Sequence, residues 1–319
     1  MFKTSICIGF ANLLLGLIHV VLPSSACAQL QLKPGEEYTY HIEKTHAGAV
    51  KVLGTTGNSV EKWVTDVTAK VGEANADGRI PLALTVKSLT GASPVLDGLT
   101  MRNVDFDYSK WDKKKRLPYH SLLQYEAMMK RPLTLLYQPN GTLDGVAGTT
   151  ELAADIDRAL VGGFTEETDY PSSRPLYKSI YSEKLQKLIW DKLLVFDLPA
   201  DFEVGLEWKQ QRLIYVQPFY AWANGKFIAE DADDGGYSIE ATFDFPANKE
   251  SSVTFGPQRY AYSVKNGTGT GKYVIDSDGR VRSLETVMHV YFKNSLIAGD
   301  QTIPFDEYYS KIEYKIERK

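Results

Sequence analysis

The chain has 319 residues, 43% of them hydrophobic and 24% charged, with a formal net charge of −4. That composition sustains a packed core and excludes a disordered or fibrous polypeptide. The mild acidity offers nothing to the phosphates of nucleic acid or to an anionic membrane surface.

The first element is a leader. Lys3 supplies a positive charge, an apolar run extends from Ile6 to Leu22, and Pro23 stops it. Ala26-Cys27-Ala28 then fits a small-x-small cleavage site, so residues 1–28 read as a secretory signal peptide and Gln29 as the mature N-terminus. A second reading lipidates Cys27: Ser25 and Ala26 suit such an anchor, whereas Ser24 stands where leucine is preferred. The expected location is the periplasm or the outer envelope. Both cysteines, Cys7 and Cys27, lie in the leader, which leaves the mature body without a disulfide or a thiolate.

Period-two alternation dominates the mature body. Tyr38, Tyr40 and Ile42 share one strand face. Trp63, Thr65, Val67, Ala69 and Val71 share another, and Ile80, Leu82, Leu84 and Val86 a third, with a hairpin loop at Asn75–Gly78 between these two runs. Leu133, Leu135 and Tyr137 lead into the turn Pro139-Asn140-Gly141. Tyr237 to Phe245 alternates again. Tyr260 to Lys265 is a shorter run, and Lys272 to Ile275 pairs across Asp278-Gly279 with a return strand from Val281 to Phe292. The last strand places Tyr308, Ser310, Ile312, Tyr314 and Ile316 on one face and charged residues on the other.

Helical spacing interrupts this pattern at three places. Thr149 or Thr150 caps a helix with Leu152, Ile156 and Leu160 inward, ended by Gly162-Gly163. Ser182 caps a second with Leu185, Leu188, Ile189 and Leu193 inward. Ser121 to Lys130 is a shorter third. The fold class is therefore mainly β: two tandem curved antiparallel units with two or three short helices. The N-terminal unit covers residues 29–162 with an insertion at 91–132, a helical connection spans 163–200, and the C-terminal unit covers 201–319. Gly35-Glu36-Glu37-Tyr38 and Gly205-Leu206-Glu207-Trp208 open the two units alike and suggest a duplication.

Chemistry-bearing motifs are sparse. His41, His46, His120 and His289 form no His-x-His pair and read as surface histidines; no metal or cofactor is expected. In Asp231–Gly236, a calcium loop would need a ligand at Gly235 and a glutamate at Thr242. There is no Gly-x-Ser-x-Gly elbow, and no residue is assigned a catalytic role. Lys113-Lys114-Lys115-Arg116 reads as a solvated basic loop, and the glycine-rich Gly267–Gly271 as the opening of a strand rather than a phosphate loop. The aromatic excess is the one feature that suggests a ligand. Phe219, Tyr220 and Trp222, with Tyr308, combine large apolar faces with polar handles.

The opening Leu32–Tyr40, the Pro139-Asn140-Gly141 turn before a helix, and Gly205–Trp208 resemble an uncharacterised family of secreted bacterial β-rich proteins, a domain of unknown function. The resemblance implies an envelope location and a β fold, and no activity. A more distant likeness is to the half-barrel sheets that carry lipids or lipoproteins across envelopes. The expected function is a non-catalytic binding or carrier protein for a hydrophobic small molecule or a glycan, in a cavity enclosed by a curved sheet and a helix. The alternatives are a structural component bound to an envelope protein partner, and a polysaccharide or peptide hydrolase. The oligomeric state is open.

Overall fold

The alternation of apolar and polar side chains is realised as one strongly curved sheet. The computed structural model describes residues 30–52, 55–97, 100–110, 123–161, 182–216, 219–232, 235–255, 258–298 and 301–319. Residues 1–29, with Cys27, the basic run after Trp111 and His120 lie outside them.

Thirteen strands make the sheet: β1 (Glu37–Val52), β2 (Thr55–Val71), β3 (Ile80–Asp97), β4 (Thr100–Asp107), β5 (Leu133–Tyr137), β6 (Leu143–Ala147), β7 (Glu207–Val216), β8 (Phe219–Asp231), β9 (Tyr237–Asp244), β10 (Ser251–Phe255), β11 (Gln258–Ile275), β12 (Val281–Ala298) and β13 (Gln301–Arg318). Every pairing is antiparallel. The spatial order is β6-β5-β3-β2-β1-β13-β12-β11-β9-β8-β7, with β4 added to β3 and β10 to β11. The mainly-β class is as expected. The two halves merge into one sheet because the first and last strands pair along most of their length, from Tyr40↔Arg318 to Lys51↔Glu307. β3 passes through Gly91 unbroken and pairs with β4, so residues 91–97 and 100–107 are part of the sheet.

The sheet does not close into a barrel. It rolls until β7, its last strand, touches β13. The inward-facing side chains fill the interior. Val67, Leu84, Leu135, Tyr137, Phe227, Ile239, Phe245, Ile275 and Ile316 are all fully buried. Aromatic rings interlock there: Phe227 stacks on Trp208 at 5.4 Å and meets Phe196 and Phe243 edge-on.

The glycine-rich run has a different role from the one expected. Residues 267–271 lie in the middle of β11, between two register shifts against β12, at Val264/Asn266 and at Val274/Ile275. A Cβ at Gly267 would stand 2.7 Å from the His289 carbonyl oxygen, and one at Gly269 would stand 3.1 Å from Met288 Cγ. Where these inward side chains are missing, the rings of Phe243 and Tyr273 take up the space beside Gly269 and Gly271.

Three α-helices are described: α1 (Leu123–Lys130), α2 (Thr149–Val161) and α3 (Glu183–Trp190). α1 covers β3, with Tyr125 against Trp63 at a ring separation of 4.7 Å, and α2 packs on α1. α3 begins at Ser182, whose hydroxyl accepts from the Leu185 amide at 3.4 Å. Beyond it, the chain is tied to the β11–β12 turn. The Phe196 amide donates to the Gly279 carbonyl at 2.7 Å, and the Val281 amide to the Leu194 carbonyl at 2.9 Å. Gly279 sits at φ +89°, and a Cβ there would lie 2.4 Å from the Phe196 carbonyl oxygen, so glycine is required.

Candidate ligand site at the seam of the sheet

α3 packs against β6 on one side and β7 on the other, so it bridges the gap between the two end strands. Towards β6 its contacts are polar. Glu183 accepts from the Val146 amide at 3.3 Å, and Lys187 donates to the Asp144 carbonyl at 2.9 Å. Towards β7 an apolar surface at Leu188 and Leu213 lies beside the ion pair of Asp191, the C-cap of α3, with Arg212. Behind the helix lies a cavity of about 50 Å³, lined by Leu188, Leu213, Tyr215, Met288, Ile312 and Tyr314 among others. Outside it lies a crevice of about 340 Å³ lined by Thr142, Lys184, Lys187, Lys192, Asp197 and Gln210. Leu188, Leu213, Asp191 and Arg212 line both spaces, so these four residues form the partition between crevice and cavity. The Arg212 guanidinium donates to the Asp191 carboxylate at 3.0 Å across that partition. Lys192, held at φ +61°, pairs with Asp197 beside it. Burial pushes the Lys192 ammonium down to about 7.

The inner wall of the cavity is built by strand register. Facing residues across β2, β1, β13 and β12 form rows. One row is Trp63, Lys44, Tyr314 and Thr286. The next is Glu61, His46, Ile312 and Met288. A third is Ser59, Gly48, Ser310 and Val290. Adjacent strands lie about 4.8 Å apart, so members of a row are in reach of one another. Lys44 Nζ sits 5.2 Å from the Trp63 ring centre and 5.6 Å from that of Tyr314, a cation held between aromatic faces. His46 Nε2 lies 3.0 Å from Ser310 Oγ, and both residues are buried. Burial raises the Tyr308 phenol above its ordinary range, a shift that its hydrogen bond with Ser310 moderates and Glu61 reinforces. Tyr215, on the rolled-over β7, is raised further, by burial first and then by Tyr314, Tyr220, Tyr308 and Glu61. Both phenols are therefore neutral and able to donate at physiological pH.

Of the four aromatics singled out from sequence, two meet on the concave face. Phe219 is buried and contacts Tyr308 edge-on at 5.7 Å. Tyr220 lies 6.1 Å from Tyr215, at the edge of this group. Trp222 does not join them; it is 48% exposed on the outer face of β8, because alternation puts Ala221 and Ala223 inward. His46, read as a surface residue, is 7% exposed and faces inward. From sequence, Lys44 and Glu61 go unnoticed, His46 reads as a surface histidine, and Ser310 and Tyr314 fall on the inner face of the last strand without a functional role. The signal was present for three of them, since Lys44 and His46 continue the parity of Tyr40 and Ile42, and Ser310 that of Ile312. A charged or hydroxylic side chain at an inward parity is where a functional group hides in a strand.

Among the described residues no group of three or more His, Cys, Asp or Glu could hold a metal ion. No helix among them is long and apolar enough to cross a membrane. No known protein family matches the chain, and no curated protein does. A solved structure of a protein of unknown function from the DUF3598 family of Nostoc punctiforme overlaps 86% of this chain and 94% of its own, at 10% identity and a TM-score of 0.12. Overlap that loose transfers neither mechanism nor ligand to this protein.

Proposed function

We propose that this is an exported, non-catalytic binding protein that takes an apolar or amphiphilic small molecule into the seam between the two ends of its sheet. The observation that carries the reading is the partition at α3. Four side chains separate a solvent-facing crevice from an apolar interior cavity; α3 carries Leu188 and is capped by Asp191. A helix of 8 residues has little stability of its own and depends on what it packs against. Its displacement would join the two spaces without breaking the sheet. The cavity, at about 50 Å³, holds little more than a water molecule, so the interior is filled rather than hollow, and a larger ligand enters by moving α3. The leader at residues 1–28 supports an address outside the cytosol.

The test is a titration of the purified mature chain with the neutral fluorescent probe N-phenyl-1-naphthylamine. Saturable binding with one probe per chain is expected, and its loss in Leu188→Trp, which fills the partition. Absence of saturable binding to the wild-type chain overturns the proposal. A second reading, a structural partner of another envelope protein, draws on the outer face of β8, where Trp222 is 48% and Ile228 37% exposed.

A further inference from the structure

Any ligand of the interior must come to terms with the charges already buried round it. Two charged side chains line the cavity itself, Arg212 and Asp191, and Arg212 donates to Asp191 at 3.0 Å. Lys184, Lys187 and Lys192 stand on the outer crevice, beyond the partition. The formal charge of the cavity lining therefore sums to zero. An ionic ligand would add a charge with no counter-charge in surroundings that water barely reaches. A neutral polar group has to replace only its own hydrogen bonds.

The remaining polar groups on the cavity wall are hydroxyls: the phenols of Tyr215, Tyr314 and Tyr273, the last already bonded to Arg212, and the hydroxyl of Thr286. Hydroxyls both donate and accept, which suits a head group that does the same. Tyr314 and Thr286 lie on the inner wall, in the row of Lys44, while Leu188 and Leu213 stand at the partition. The site thus has a hydroxyl-lined inner end, and its way out passes Leu188 and Leu213 beside the closed Arg212–Asp191 pair. Taking the seam cavity as the ligand site, we infer that its occupant is an uncharged amphiphile, with a hydroxyl or carbonyl head among Tyr215, Tyr314 and Thr286 and an apolar body running past Ile312 and Met288 to the α3 partition.

The experiment displaces bound N-phenyl-1-naphthylamine from the mature chain with three ligands of equal chain length: 1-dodecanol, laurate and dodecyltrimethylammonium. Dodecanol is expected to displace the probe at about tenfold lower concentration than either ion. In Asp191→Asn, which leaves Arg212 without its counter-charge, laurate is expected to overtake dodecanol; in Arg212→Met the ammonium ion gains instead. Displacement by either ion at or below the dodecanol concentration overturns the inference, as does no displacement by dodecanol while the probe binds. Failure of the probe itself to bind is a distinct result and removes the seam site altogether. If both variants fail to fold, the wild-type ranking alone decides.

Discussion

Along β1 the concave face changes character within a few residues: Tyr40 and Ile42 are followed, at the same inward parity, by Lys44 and His46. β2 and β13 make the same change, from Val67 and Ala69 to Glu61, and from Ile316 to Ser310. One end of the interior is therefore an aromatic and aliphatic core, and the other a network of polar groups, on the same three strands. A buried polar group costs stability unless it is paired, and an apolar side chain of similar size would serve packing as well. On these three strands the contrast sets an end built for packing against an end that carries polar groups packing alone does not require.

Substitutions that tax the two ends unequally sharpen the contrast. The largest effect belongs to Phe227→Ala. It removes a fully buried ring packed against Trp208, Phe196 and Phe243, and is expected to lower unfolding free energy by about 3–5 kcal/mol in urea titrations. A loss below about 1 kcal/mol would mean that the core is not where the rings place it.

Asp276→Asn comes next. Its carboxylate receives Arg318 Nη1 at 2.7 Å and Nη2 at 3.2 Å, and also Arg282, and so holds the β11–β12 turn to the end of β13. Its loss is expected to cost about 1.5–3 kcal/mol, and added salt should mask little of it because the group is largely buried.

Alkaline pH probes both ends at once. Burial pushes the Tyr40 phenol up to about 12 and raises Tyr137, Tyr215, Tyr273 and Tyr308 as well. An unfolded phenol ionises near pH 10, so above that pH the unfolded state binds fewer protons than the folded one. Stability is then intact below pH 10 and falls as pH rises, by about 1.4 kcal/mol per pH unit for each such phenol. Tyr40→Phe should flatten the slope between pH 10 and 12. An unchanged slope would show that this phenol is not desolvated.

The smallest change is Ser310→Ala. It removes the hydroxyl bonded to His46 Nε2 and is expected to cost about 1 kcal/mol, while shifting the His46 imidazole resonances in NMR spectra. A cost equal to that of Phe227→Ala would erase the distinction between the two ends.

Local pattern carried much of the architecture into view. Alternation located the strands around Tyr40, Leu84, Phe243 and Ile312. Ser182 with Leu185 and Leu188 located α3, because a cap and its first turn are adjacent in sequence. The pattern misread residues 267–271, since a glycine shows only that a side chain is missing and not which neighbour fills the gap. It passed over Lys44 and put His46 on the surface because their polarity outweighed their parity. It paired Trp222 with Phe219, although a strand sends residues three apart to opposite faces.

The sequence by itself determined the class of fold and the face on which each strand residue lies, since both derive from the two-residue period of the extended chain. Tertiary structure decided which strands are neighbours. Only the pairing of β1 with β13 sets Lys44 beside Tyr314 and His46 beside Ile312, and only the roll of the sheet brings Tyr215 over them. Contacts between residues so far apart in the chain are fixed by the roll of the whole sheet and its packed interior, and no local spacing encodes them.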